Sequence, residues 1–204
     1  MATSMNQTDV ELFEPANRQS WRSWLEKNQR TKKAVCLVLS KRGSRMPTVS
    51  YNEAMEEALA FGWIDSRGNR LDAERFRLVF TPRKPKSVWA PSNKERVRRL
   101  SKAGRMAPAG LEIVAAAKQD GSWSAYDDIE RMKYPEDLKR ALAARPGATA
   151  FFKGSGKSYQ KQALYWIKSA KRPETRAKRI AELVRLAAAG KKADWYYSKP
   201  KDRP

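Results

Sequence analysis

Arg75-Phe76-Arg77-Leu78-Val79-Phe80-Thr81 decides the fold class, because its side chains alternate with a period of two. Phe76, Leu78 and Phe80 fall on one side and Arg75, Arg77 and Val79 on the other. That is the pattern of a strand with one apolar face and one face basic over most of its length. Toward the N-terminus, residues 63–67 read as its partner strand, joined to it by a turn near Gly68-Asn69. Residues 35–40 are apolar at consecutive positions, which suits a strand covered on both faces. Between these strands Ser50 and Glu53 have capping-box spacing and open a helix carrying Ala54, Met55, Ala58 and Leu59, closed at Gly62. Trp21, Trp24, Leu25 and Asn28 follow i, i+3, i+4, i+7 and predict a helix over residues 17–28.

Beyond Pro91 the period is helical to the end. Ser92 and Glu95 suggest a second capping box, for a helix that stops at Gly104. Pro108 marks a helix start and Gly121 the position after its end, and Pro135 precedes another start at Glu136-Asp137. Residues 158–171 carry Ala163, Leu164, Ile167 and Ala170 on one side. Residues 173–189 carry Ala177, Ile180, Ala181 and Val184, ending at Gly190. The expected class is α+β: a small antiparallel sheet with helices in the N-terminal half and an all-helical C-terminal half. The expected divisions are a loosely held arm at 1–15, an α+β subdomain at 16–90, a helical subdomain at 91–190, and a basic aromatic tail at 191–204 around Trp195-Tyr196-Tyr197. Residues 82–91, with Pro82, Pro85 and Pro91, read as a stiff, extended connector.

The chain has 204 residues, 41% of them hydrophobic, with seven Trp, enough for a real core. The single cysteine, Cys36, lies in an apolar run, so a buried thiol is expected and an internal disulfide is excluded. The absence of His excludes Ser-His and Cys-His catalysis and His metal ligation, and a lone Cys cannot build a zinc site. No metal and no cofactor are expected. The start lacks the basic and apolar regions of a secretory leader, and no apolar stretch is long enough to span a bilayer, so the expected location is cytoplasmic. Lys and Arg number 43 against 22 Asp and Glu, a formal charge of +21. Such a field attracts nucleic acid, another polyanion or an anionic membrane surface.

The cations concentrate in two places. Arg83, Lys84 and Lys86 lie in the proline-rich segment with Arg96 close behind, and Lys171, Arg172, Arg176 and Arg179 run along the last helix. These eight are the candidate anion-binding residues. Trp63, Asp65, Arg67 and Trp89 form a candidate cleft, its Trp side chains either stacking on bases or buried. Asp65, with Glu53 and Glu57, either joins a carboxylate set for acid/base or Mg²⁺ work or pairs with Arg67, Arg75 or Arg77. Gly154-Ser155-Gly156-Lys157 imitates the end of a phosphate loop, but Phe151 stands where that loop needs Gly, so a turn leading into a helix is expected.

Taken together, Phe61-Gly62-Trp63-Ile64-Asp65, Thr81-Pro82-Arg83-Lys84-Pro85 with Ser87 and Trp89, Asn93, Arg96, Gly104-Arg105-Met106 with Gly110, Asp137-Leu138, and Ala170-Lys171-Arg172-Pro173-Glu174-Thr175-Arg176 resemble the YdeI/OmpD-associated, or bacteriocin-protection, family. The similarity runs from Trp24 to about Gly190. Ser66 stands where members often have Gly, and the 154–157 segment is richer in Gly than usual. The resemblance implies a cytoplasmic protein with a role in tolerance of bacteriocins or antimicrobial peptides, and no reaction. Such peptides are commonly cationic and a +21 protein repels them, so simple sequestration does not fit. The leading reading is a non-enzymatic protein that binds nucleic acid or another polyanion. The alternative is an enzyme using Asp65, Glu57 and nearby Arg in a cleft between the halves.

Overall fold

The alternating stretch forms β5 (Arg75–Pro82), the longest strand of a five-stranded sheet. In this computed structural model, which describes residues 10–41, 43–45, 48–66 and 68–193, the order is β1 (Leu12–Phe13), β2 (Val35–Ser40), β5, β3 (Trp63–Asp65). β1 runs parallel to β2, and β5 is antiparallel to both β2 and β3. The architecture is mixed α+β, as the alternation predicted. β2 occupies the span expected for it, with Val35 to Leu39 buried. Phe76, Leu78 and Phe80 pair with Leu39, Leu37 and Val35 on the core face. The opposite face is basic only toward Arg75 and Arg77; farther along, Val79 is buried beside Cys36.

Two expectations about the sheet change. The hairpin does not turn at Gly68-Asn69: β4 (Asn69–Arg70) pairs again with β5, and the chain reverses over residues 71–74. Asp72 accounts for this, since its Oδ1 accepts the Glu74 and Arg75 amides at 2.9 and 2.7 Å, an Asx turn. The N-terminal arm is not loose at Leu12–Phe13, which form β1. Residues 1–9, Arg67 and Trp195-Tyr196-Tyr197 lie outside the described residues.

α1 (Arg18–Asn28) begins at a capping box between Asn17 and Ser20, and α2 (Tyr51–Ala60) at the expected Ser50–Glu53 box. Trp21 donates Nε1 to Ala54 O at 3.1 Å and packs on Trp24 and Phe80, tying α1 to α2 and the sheet. α3 (Pro91–Lys102) starts two residues earlier than a Ser92 box would place it: Ala90 is the cap, and Pro91 with its preset φ opens the first turn. α4 (Pro108–Gln119) approaches α2 so closely that a Cβ on Gly110 would lie 2.1 Å from Ala60 O. Only glycine fits there.

The chain divides after Ala125, not near residue 90, because α3 and α4 share the core of the sheet. Residues 126–193 have their own core, built from α5 (Asp127–Glu130), α6 (Glu136–Ala143), α7 (Ala148–Gly154), α8 (Lys157–Lys168) and α9 (Pro173–Ala188). On α9 the buried stripe is Ile180, Leu183, Val184 and Ala187, and Ala177 and Ala181 are exposed. The larger Leu183 outweighs two alanines in choosing the buried face.

Candidate functional site

Glu57 is fully buried on α2, and three arginines surround its carboxylate. Arg18 Nε reaches it at 2.5 Å and Arg22 Nη1 at 2.8 Å, both from α1, and Arg105 Nη2 at 2.6 Å from the loop after α3. Arg18 and Arg99 also hold Glu56. Glu53 belongs to the α2 cap, where it accepts from Ser50. Neither acid is left for chemistry beside Asp65, and no group of three or more His, Cys, Asp or Glu converges among the described residues.

Asp65 does not pair with Arg75 or Arg77 as expected. Arg75 is held by Asp72 and Glu14, and Asp65 accepts from the Tyr51 hydroxyl at 3.3 Å. Burial pushes its pKa above the usual value for Asp, opposed first by the Tyr51 bond and then by the charges of Arg96 and Arg83. Arg96 itself bonds to the amide oxygens of Asn93 and Asn52, at 3.2 and 3.1 Å.

Arg83 is the most unusual candidate. It sits just beyond β5, only 7% exposed, with its guanidinium 3.8 Å from the centroid of the Trp89 ring. Its Nη2 donates to Val88 O at 2.7 Å, and its Nε is buried with no hydrogen-bond partner among the described residues. Burial lowers its pKa to about 10, partly countered by Asp65, so it remains a cation at neutral pH. Trp89 and Trp63 are both buried, which settles their alternatives in favour of packing. The segment after Pro82 is not an extended connector. Ser87 N bonds to Lys84 O at 3.2 Å, closing a turn with Pro85 at its second position and Lys86 at its third, where Lys86 takes φ +60°. Lys84 and Lys86 are exposed on this turn, near the Asp120 carboxylate, which Ser122 and more weakly Lys86 hold below the usual range.

In the helical unit, Arg176 clamps Asp137 through two bonds, at 2.7 and 2.9 Å, joining α9 to α6. This bond holds the Asp137 carboxyl below its ordinary range. Arg179 donates to Trp166 O and, at 2.8 Å, to Ser169 Oγ, closing the end of α8. Lys171 and Arg172 are exposed before α9. Gly154 ends α7 and Lys157 opens α8, with only Ser155 and Gly156 between them, and Gln160 Nε2 donates back to Lys153 O at 3.0 Å. A cavity of about 700 Å³ lies in this unit, lined by Tyr134, Met132 and Leu164 among others.

Residues 131–190 match the bacteriocin-protection family. Its description reads "Bacteriocin-protection, YdeI or OmpD-Associated", and the match contains the Asp137–Arg176 clamp and the Lys171-Arg172-Pro173 start of α9. Residues 13–113 match a different model, "Domain of unknown function (DUF8412)". The motifs around Gly62, Arg83 and Gly110 that also entered the resemblance fall in that second segment, so the bacteriocin-protection match is confined to the helical unit. No curated protein and no solved structure matches the chain.

Tyr51, Ser87 and Asn93 are polar residues of the Arg83–Asp65 region to which the sequence reading gave no role at the site. Tyr51 carried a faint signal, one residue past a cap and thus at a helix end that β3 approaches. Nothing local marked Arg83 as buried, since its neighbours Lys84 and Lys86 are exposed.

Proposed function

We propose that this is a non-enzymatic, cytoplasmic protein whose surface cations engage nucleic acid or another polyanion, and that it acts in this way in a bacteriocin-protection-related role. The family match points to that role, and no helix among the described residues is long and apolar enough to cross a membrane. The observation that carries the reading is where the acids go. Glu56, Glu57, Glu14, Asp72 and Asp137 are taken by arginines, while Lys84, Lys171 and Arg172 stay exposed and form no ion pair among the described residues. These three cations are among the side chains that this reading assigns to the polyanion. The enzyme alternative loses half of its pair, because Glu57 is enclosed by three guanidinium groups.

Titration with heparin, DNA and RNA across a salt series tests this. If about five phosphates are neutralised, log K falls against log salt with a slope of roughly −4 to −5, with little preference for sequence. Lys84→Gln with Lys86→Gln should weaken binding to every polyanion and reduce that slope by about two. A flat salt dependence ends the proposal.

A further inference from the structure

Arg83 is a buried cation to which no carboxylate among the described residues is bonded. Asp65 offsets its charge from a distance, while its own carboxylate accepts the hydrogen bond of the Tyr51 hydroxyl. Burying an unpaired guanidinium is costly, and such groups are normally matched by an anion.

An open groove of about 380 Å³ lies beside it, lined by nine residues of which none is acidic. Arg83, Lys84, Ser87, Asn93 and Thr81 bring side-chain donors to it. Asn93 uses its amide oxygen on Arg96, which leaves its NH₂ to donate, and Arg83 Nη1 makes no hydrogen bond among the described residues. Ile64, Pro82, Val88 and Ala90 form the apolar remainder of the wall. Arg83 also lines a smaller cavity of about 100 Å³ behind the Lys84–Ser87 turn, with Trp89 and Ile113. The left-handed backbone of Lys86 is held at this same turn, as strained residues often are where a loop must keep one shape.

We propose that this groove binds a small organic carboxylate with a short apolar body, the carboxylate meeting Arg83 Nη1 and the Ser87 hydroxyl and the apolar part lying against Ile64 and Val88. The apolar wall selects the ligand class: Ile64, Pro82, Val88 and Ala90 can cover a short hydrocarbon body, whereas they offer no donor to the further oxygens of a phosphate. The volume is at the small end for ligand sites. This deepens the anion-binding reading of the loop and rests on it for the sign of the bound charge, but not for contact with a polymer.

The test is calorimetric titration of the full chain with butyrate, butyramide and inorganic phosphate, with heparin affinity measured in parallel. Butyrate should bind with Kd on the order of millimolar, and butyramide, the same shape without charge, at least about tenfold more weakly. Arg83→Gln should abolish butyrate binding. Because that variant removes a buried stacking partner and can fail to fold, Ser87→Ala combined with Lys84→Gln serves as the second variant, and it should weaken butyrate about tenfold. Equal binding of butyrate and butyramide, or undiminished butyrate binding in the double variant, overturns the proposal. Phosphate binding more tightly than butyrate overturns the assignment to a carboxylate. Ser87→Ala removes no charge, so heparin affinity should be unchanged in it. Butyrate binding without salt-dependent heparin binding defeats the polyanion reading alone, and heparin binding without butyrate binding defeats this one alone.

Discussion

Glu57 and Arg83 are buried charges of opposite sign in the same unit, and they are treated in opposite ways. Glu57 meets three guanidinium groups from two other segments, at distances of 2.5 to 2.8 Å. Arg83 meets one carbonyl, one aromatic face and a buried Nε without a partner. The first arrangement is complete and holds elements together. The second is complete only with something added. The contrast teaches that burial alone does not separate structural from functional charges; the number of partners does.

The largest expected effect tests the complete side. Glu57→Ala leaves Arg18, Arg22 and Arg105 facing one another without an anion and should cost about 3–5 kcal/mol, read from urea denaturation. The arginines are partly exposed, which places the value toward the lower end. A loss under about 1 kcal/mol would break the comparison, since it would mean that the cluster is as dispensable as a surface pair.

Trp89→Ala comes next. The ring is 2% exposed and packs on both Arg83 and Trp123, so its removal should cost about 3 kcal/mol or more in a thermal melt. Arg83→Met sharpens the point: without an anion present, the methionine variant should lie within about 1 kcal/mol of the parent, because an unpaired buried charge replaced by an apolar chain of similar length loses little. A loss comparable to that from Trp89→Ala would make Arg83 a structural residue.

The smallest effect is on pH. Glu130, held below its ordinary 4.5 chiefly by Lys161, and Asp137, held below 3.8 chiefly by Arg176, contribute stability that is present above those values. It is lost as pH falls through their lowered folded values. Asp65 has the opposite sign: its raised pKa favours the fold below 3.8 and loses that contribution as pH rises through the folded value. Melting temperature should therefore change little between pH 8 and 6, where no His titrates, and should fall below about pH 4, with Asp65→Asn removing the opposing contribution.

Much of the fold was legible because apolar spacing records local structure. The β5 alternation and the Trp21–Trp24–Leu25 stripe each specify one face that packs into the core, and the β2 run specifies a strand covered on both, with Val35 to Leu39 buried. What failed were choices between two competing local signals. Pro91 displaced the Ser92 cap, and Asp72 took the turn from Gly68-Asn69. The site was less legible for a different reason. Arg83 and Lys84 are neighbours of like charge, and only the path of the chain past Trp89 buries one and exposes the other. That Arg176 and Arg179 bond within their own unit likewise depends on partners dozens of residues away in one case, and on a helix end in the other.

The Glu57 hub also bears on how the protein opens. One carboxylate bonds to α1 and to the loop after α3, so neither can detach without releasing a buried ion. Amide protons of α1, α2 and the region around Arg105 should therefore exchange with solvent at a common rate set by one shared opening event, while those of the Lys84–Ser87 turn exchange early and on their own.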